Sequence, residues 1–230
     1  HLAWHLAAGV EWLETFKVPD ARRVLYIDEE MNERTLRRRG KRLAQGAGIS
    51  GDPPVAFLSR AGVRFDAYGA GALLSYLSEQ KFMPDVVIVE ALRRVLIGNE
   101  NEASDVAQFW RNLEPISRRG TTIVISHHMN KPPVEGRRAA RHRASGSTDI
   151  LAGSDASFAV ETIIRGETAK ITGIKARDDV ELKPFGVKLD DKGDRSGPIT
   201  LTPLALRVEG PPATTPLTPD EKQDVFRLPV

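Results

Sequence analysis

Residues 85–94 read DVVIVEALRR, in which four branched apolar residues run into one acid, Glu90, and two arginines follow. A wholly apolar run is typical of a strand that is buried on both faces, as in a parallel sheet covered by helices. Ligand sites in open parallel sheets lie at the carboxyl ends of the strands. Two interpretations of Glu90 therefore stay open: it faces a ligand, or it marks the point where the strand leaves the core.

Two further apolar runs end in chemically capable residues. RRVLYID leads into an acidic cluster that includes Glu30, and TTIVIS leads into His127 and His128. Because strand ends on one edge of a parallel sheet lie close together, we expect Glu30, Glu90 and His128 to share one site. Carboxylates there could hold a hydrated metal ion and activate a water, and an imidazole could stabilise a transferring phosphoryl group. For each residue alone, a solvated or purely structural role remains the alternative.

The segments between these runs predict helices. Residues 1–15 carry Leu2, Leu6, Val10 and Leu13 at helical spacing, and Asn32 is placed to cap a second helix that buries Leu36 and Gly40. Residues 70–80 predict a third helix, and Ser104 is expected to cap a fourth that carries Val106, Phe109, Leu113 and Ile116. This alternation of strands and helices predicts an α/β fold, a mainly parallel sheet with helices on both faces.

The pattern changes from about Ser157. SFAVETII, TAKITGIKA, FGVKL and PITLTPLAL are strand-like and have no helical segment between them, which predicts an antiparallel C-terminal extension of the sheet. From Glu209 onward a Pro- and Thr-rich stretch is typical of a linker. We therefore expect a core over residues 1–208, and a linker over residues 209–230 that leads into a truncated further segment.

The composition restricts the function. Hydrophobic residues make up 40% and charged residues 28% of 230 residues, with a net charge of +2, which is ordinary for a globular protein. The chain has no cysteine, which excludes disulfides and thiolate metal sites and fits a cytoplasmic protein. No apolar run approaches the ~20 residues that cross a bilayer, so we expect no membrane partner.

Three segments together resemble a known family: VLYIDEEMNERTLRRRGKRLAQGAG, DVVIVEALRRVLIGNENEASDVAQFWRNLEPISRRGTTIVISHHMNK and RASGSTDILAGSDASFAVE. They are similar to the plasmid RepA-type hexameric helicases, RecA-like ATPases of the AAA family that are related more distantly to DnaB-type replicative helicases. The resemblance covers roughly residues 1–190. Its most specific feature is an order: strand–acid–LRR, an Asn/Glu-rich loop, a helix, and strand–HH–x–x–K.

The resemblance implies an ATP site with Mg²⁺. Glu30 aligns with the acid that polarises the attacking water, and Glu90 with the Walker B acid that holds Mg²⁺ through water. His128 aligns with the γ-phosphate sensor, and His127 is its neighbour. The family normally has Asp where Glu90 stands, and because Mg²⁺ tolerates geometric error poorly, this difference bears on activity.

The resemblance also implies a P-loop, G-x-x-x-x-G-K-[ST], directly before the first helix. The sequence opens with HLAWHLAAGV, which resembles the helix that follows a P-loop. We therefore expect the motif to lie upstream of His1. Without its backbone N–H groups and its lysine, residues 1–230 alone are expected to bind nucleotide poorly and to be inactive.

The segment NKPPVEGRRAARHRA follows the two histidines. Its cations are Lys131, Arg137, Arg138, Arg141 and Arg143. In RecA-like motors the matching loop lines a central channel and contacts single-stranded DNA, whose phosphates such arginines would neutralise. A solvated charge run is the alternative.

The segment GIKARDD places Lys175 and Arg177 two residues apart on a strand, so that both side chains project from the same face. In DnaB-type rings a matching K-x-R pair reaches the γ-phosphate of the neighbouring subunit, which would make Arg177 an arginine finger supplied in trans, with Lys175 beside it. An exposed pair that keeps a sheet edge charged is the alternative.

The leading functional hypothesis is a homo-oligomeric ring, a hexamer by resemblance, that couples ATP hydrolysis to movement on single-stranded DNA. The alternative is a RecA-like loader or accessory protein that binds nucleotide and DNA with weak or no turnover. A metal-dependent hydrolase or nuclease that uses Glu30, Glu90 and His128 is disfavoured, because no compact His/Asp ligand motif is present.

Overall fold

The computed structural model describes residues 1–128, 146–177, 182–191, 193 and 196–204. The proposed linker over residues 209–230 and the basic side chains of the predicted DNA-binding segment lie outside the described residues: Lys131, Arg137, Arg138, Arg141 and Arg143.

The described residues contain six helices and eight strands. The helices are α1 Leu2–Ala8, α2 Glu33–Gly46, α3 Gly69–Glu79, α4 Leu92–Val95, α5 Ala103–Ser117 and α6 Asp149–Ala152. The strands are β1 Val24–Asp28, β2 Val55–Ser59, β3 Val86–Glu90, β4 Thr122–Ile125, β5 Ala156–Ile164, β6 Thr168–Ala176, β7 Phe185–Asp190 and β8 Thr200–Leu204.

The first four strands form a wholly parallel sheet in the order β2-β1-β3-β4. Alternate residues of each strand face opposite sides, so Leu25 and Val87 pack with α3 and α5, whereas Val24 and Ile88 pack with α1. Both faces are thus covered, which explains why β1 and β3 are apolar almost throughout. The prediction of a parallel sheet between two layers of helices is confirmed.

The last four strands are antiparallel, as predicted, and form a sheet of their own in the order β5-β6-β7-β8. One face of this sheet carries Ile171, Phe185 and Val187, which pack against the fully buried side chain of Leu13. The segment after α1 therefore covers the antiparallel sheet. Burial of an aliphatic or aromatic side chain of this size contributes about 1.5–3 kcal/mol.

The helix predicted over residues 1–15 is present, but its predicted length is wrong. α1 ends at Ala8, and Gly9 follows in the left-handed conformation at φ 64°. A Cβ atom at Gly9 would lie 2.8 Å from the backbone nitrogen of Ala21, so only glycine fits this turn. The chain changes direction at this turn, and Leu13 packs against the antiparallel sheet.

The two predicted helix caps have different outcomes. The side chain of Asn32 accepts a hydrogen bond from the Thr35 N–H at 2.9 Å, which confirms it as the N-cap of α2. The expected cap at Ser104 is wrong, because α5 begins at Ala103 and Glu102 occupies the cap position. The predicted apolar face of α5 is buried: Val106, Phe109, Leu113 and Ile116.

Arg42 joins the two sheets through α2. Its guanidinium donates to Asp191 Oδ1 at 2.7 Å and to the Gly197 carbonyl at 2.6 Å, and its own carbonyl accepts from the Ile199 N–H at 3.0 Å. The side chain of Arg42 is only 12% exposed. Arg42 thus links the parallel layer to the strand ends of the antiparallel sheet.

Candidate active site

The register of the parallel sheet brings the acids of two strands together. Asp28, the last residue of β1, pairs with Glu90, the last residue of β3. On the other side of β3, the Ser126 N–H donates to the Val89 carbonyl at 3.0 Å, which places Ser126 beside Glu90. The carboxyl edge of the sheet therefore carries two neighbouring carboxyl groups and a hydroxyl.

Asp28 is a residue of this edge that sequence reasoning passed over in favour of Glu30. Its side chain is fully buried, and Oδ1 accepts hydrogen bonds from the N–H groups of Glu30 at 2.9 Å and Met31 at 2.7 Å. Asp28 thus holds the turn on which Glu30 sits. The signal in the sequence was its position as the first acid after the apolar run of β1.

The other acid of this cluster, Glu29, ties two loops together. Its carboxylate accepts from the Gly62 N–H at 3.1 Å and the Val63 N–H at 2.9 Å, in the loop after β2. In the same loop the Arg60 N–H donates to the Asp28 carbonyl at 2.8 Å, and the Arg60 guanidinium donates to the Glu30 carbonyl at 2.9 and 2.5 Å. The backbone of Glu30 is thereby held from two sides.

The carboxylate of Glu30 points outward from this scaffold. Its Oε1 accepts from Arg94 Nε at 3.2 Å, and the two side chains are 36% and 56% exposed. Within the described part of the chain, no hydrogen-bond partner lies at Oε2. Glu30 therefore presents one carboxylate oxygen to the solvent.

Glu90 is half-buried, and its surroundings are negative. Burial, and to a lesser extent the nearby carboxylates of Asp28 and Glu30, raises the pKa of Glu90, although the Ser126 hydroxyl and, more weakly, His128 oppose this shift. Burial and the same edge carboxylates of Glu90 and Asp28 raise the pKa of the Tyr26 hydroxyl to about 12. Glu90 and Tyr26 thus lie close to the same group of carboxylates. The negative charge of these carboxylates favours a bound cation.

The oxygen atoms at this edge fit Mg²⁺. Asp28 Oδ2 is buried and has no hydrogen-bond partner among the residues that the structure describes, and the buried Ser126 Oγ lies beside Glu90. Those residues contain no cluster of three or more His, Asp or Glu side chains that could hold a metal by themselves. Mg²⁺ is commonly bound by one or two carboxylates together with waters and substrate phosphates, and the edge around Glu90 has the ligands for that mode.

The two histidines follow β4 at the same edge. His128 is exposed and lies within electrostatic range of Glu90, whereas His127 is half-buried. Glu30, Glu90 and His128 therefore lie together at one end of the sheet. Their catalytic roles stay predictions.

Lys175 and Arg177 contact the region of α6 in their own chain. Lys175 Nζ donates to the carbonyls of Leu151, Ala152 and Ser154 at 2.8, 2.9 and 2.5 Å. The half-exposed guanidinium of Arg177 donates to Asp155 Oδ1 at 3.1 Å. Both side chains leave β6 on the same side, as the spacing predicts, and a role in trans stays a prediction.

Comparison with known proteins identifies the family. A family model described as an AAA domain matches residues 1–134. The chain belongs to this family. The match to the AAA domain includes Asp28, Glu30, Glu90 and His128, and the AAA domain carries ATPase activity in general.

Other comparisons add little to this assignment. No curated protein matches the chain. Among solved structures, the chain is similar to the crystal structure of the RadB recombinase, with 14% sequence identity and a TM-score of 0.48. The match covers 78% of this chain and 78% of the RadB chain. Within the described residues, no helix of this AAA domain has the length and apolar character that a membrane crossing needs.

Proposed function

We propose that this chain is the ATPase core of a ring-forming motor of the RepA/DnaB-like helicase type, which acts on single-stranded DNA in replication or in the maintenance of a mobile element. The observation that carries the proposal is the meeting of Glu90 with Asp28, Glu30 and His128 at the carboxyl edge of a parallel sheet. This edge is where doubly wound α/β folds bind their ligands.

Each residue of this edge has a role in the proposal. Glu90, with Ser126 beside it, holds Mg²⁺ through water, and the bound ion neutralises charge on the phosphates of ATP. Glu30 orients the attacking water through its outward carboxylate oxygen and accepts its proton. His128 contacts the γ-phosphate, and Asp28 keeps Glu30 in place.

The proposal assigns single-stranded DNA to the basic segment that follows His128 directly in the chain. Arginines such as Arg137, Arg138 and Arg141 neutralise phosphates without regard to sequence. Because this segment starts where the γ-phosphate sensor ends, DNA binding and hydrolysis are connected by a few residues of backbone.

The proposal also assigns the ring contact to Arg177. Its ion pair with Asp155 is exposed, since the two side chains are 53% and 83% accessible. The guanidinium also donates to the Ala152 carbonyl at 3.2 Å. Exposed ion pairs contribute about 0–1 kcal/mol, so leaving Asp155 costs little when a neighbour offers a phosphate. A homo-oligomeric ring, with six subunits by resemblance, would supply that neighbour.

A second candidate is a RecA-like loader or accessory protein with weak or no turnover. One observation favours it: Glu90 stands where the resembling family has Asp. The longer side chain shifts the carboxylate, and Mg²⁺ tolerates geometric error poorly.

Hydrolysis and unwinding by the full-length protein separate the two candidates. For the motor we expect ATP turnover that rises with single-stranded DNA, and displacement of one strand from a forked duplex. Replacing Arg137, Arg138 and Arg141 with alanine should weaken DNA binding and reduce its log–log salt slope by roughly 0.7 per lost phosphate contact. Binding of nucleotide and DNA without turnover or unwinding supports the loader, and a protein that binds neither contradicts both.

A further inference from the structure

The ion pair between Arg94 and Glu30 joins residues that are 64 positions apart in the chain. We infer that Arg94 is a positioning residue for the proposed hydrolysis: it engages Oε1 of Glu30, orients the carboxylate, and leaves Oε2 to the attacking water. This inference rests on the proposed function of Glu30 and names a residue to which neither the family match nor the resemblance gives a role.

The backbone that carries Arg94 is anchored by the core. The Leu92 N–H donates to the Ser126 carbonyl at 2.9 Å, and the side chains of Leu92 and Val95 are almost completely buried. The Val95 carbonyl accepts from the Phe65 N–H at 2.9 Å, and the Arg94 carbonyl accepts from the Arg64 guanidinium. The backbone of Arg94, in the single turn of α4, is therefore held in a fixed position beside the end of β3.

The backbone of Glu30 is anchored independently. Asp28 accepts its N–H and Arg60 donates to its carbonyl, so its Cα position depends on two strand ends and not on the ion pair. The remaining freedom of Glu30 lies in its side-chain torsions. A single donor at 3.2 Å from Oε1 restricts those torsions, which is the contribution that an orienting residue makes to catalysis.

The energetics separate this role from a structural one. Because both side chains are more than a third exposed, the pair contributes about 0–1 kcal/mol to stability. Arg93, the adjacent exposed residue in the same turn, has no hydrogen-bond or ion-pair partner among the described residues. Replacing Arg93 or Arg94 therefore changes the net charge equally, and only the second replacement removes the contact with Glu30.

Steady-state ATP hydrolysis by the full-length protein tests the inference with R94Q, R94K, R93Q, E30Q and the double variant E30Q/R94Q. We expect R94Q to lower kcat by about 10-fold or more while KM for ATP changes by less than about 2-fold, because misorientation affects the chemical step. R94K should recover part of the loss, and R93Q should remain within about 2-fold of wild type. In the E30Q background R94Q should cause no further loss, since the two residues act as one unit.

Two results overturn the inference: an equal loss of kcat in R94Q and R93Q, or a further loss when R94Q is added to E30Q. If R94Q lowers the melting temperature, the kcat of R94K relative to R93Q and the effect of R94Q in the E30Q background test the inference instead. Failure of the proposed function is seen separately, as a wild-type protein without ATP turnover or an E30Q variant with undiminished turnover.

Discussion

Three consecutive acids at the end of β1 have three different environments. Asp28 is fully buried and accepts backbone N–H groups, Glu29 ties its loop to the loop after β2, and Glu30 alone directs its carboxylate outward. The strand ends at Asp28, and each following residue turns to a new direction. At the residue scale, the environment of each carboxylate therefore follows from its position relative to the strand end, and not from its residue type.

Glu90 is predicted to lower the stability of the fold while serving the site. Its pKa in the folded protein is raised above the ordinary 4.5, so the folded state binds a proton more tightly than the unfolded state. Stability due to this group is present below pH 4.5 and is lost as the pH rises through the folded pKa. We expect E90Q to melt at a higher temperature than wild type at pH 7, without metal or nucleotide, and to hydrolyse ATP more slowly.

The shorter acid is the matched control for this prediction. E90D keeps the charge and restores the residue of the resembling family, and we expect it to hydrolyse ATP at least as fast as wild type. Melting curves at pH 4 and pH 7 provide the check. A difference between E90Q and wild type that does not shrink at the lower pH would show that burial of charge is not the cause.

At the scale of elements, two cations at the end of β6, Lys175 within the strand and Arg177 directly after it, contact the region of α6 in different ways. Lys175 binds three backbone carbonyls at the end of α6, where helix carbonyls lack partners. Arg177 is half-exposed and binds the exposed acid Asp155 and one backbone carbonyl, that of Ala152. Lys175 is thus a structural cation, whereas the more exposed Arg177 can contact a neighbouring subunit in the proposed ring.

The two cations predict opposite phenotypes. K175M should reduce the free energy of unfolding by about 1.5–3 kcal/mol, because three backbone carbonyls near the end of α6 lose their charged donor. R177A should cost less than about 1 kcal/mol, and in the assembled ring should lower ATP turnover by ~10³-fold if the guanidinium acts on the neighbouring site. Denaturant unfolding and ATP hydrolysis are measured for both variants.

K188M is the control for loss of a lysine on the same sheet, because Lys188 is exposed on β7. We expect its stability to match wild type. Normal turnover by R177A rings would exclude the finger, and normal stability of K175M would show that the α6 contacts are replaced by water.

At the scale of the whole molecule, two sheets are joined through the buried guanidinium of Arg42. The hydrogen bond from Arg42 lowers the pKa of the Asp191 carboxyl below its ordinary value of 3.8. A depressed pKa means that this contribution to stability is present above pH 3.8 and is lost as the pH falls through the folded pKa. The link between the sheets is therefore acid-sensitive.

D191N is expected to be less stable than wild type at pH 7, and the difference should disappear as the pH falls below 3.8. Chemical denaturation at a series of pH values measures it. D190N removes the same charge from the exposed adjacent residue and should follow the wild-type curve. A constant difference between D191N and wild type at all pH values would rule out the ion pair as its source.

Much of the fold was determined by the sequence itself. The apolar runs of β1, β3 and β4 predicted a parallel sheet. β1 and β3 are covered on both faces, whereas β4 alternates between exposed and half-buried residues. The last four strands were visible from their spacing. The same runs predicted which edge carries Glu30, Glu90 and His128, since parallel strands end on one side. These inferences needed only local patterns of period two and 3.6.

Other features were decided only by the tertiary structure. α1 stops at Gly9 because the backbone of Ala21 lies against it, and Asp28 faces Glu90 because the register of two strands aligns them. Arg94 meets Glu30 across 64 positions, and Arg42 meets Asp191 across 149. No local pattern encodes such contacts, because they arise when separately formed elements pack together and distant side chains find partners for their charges.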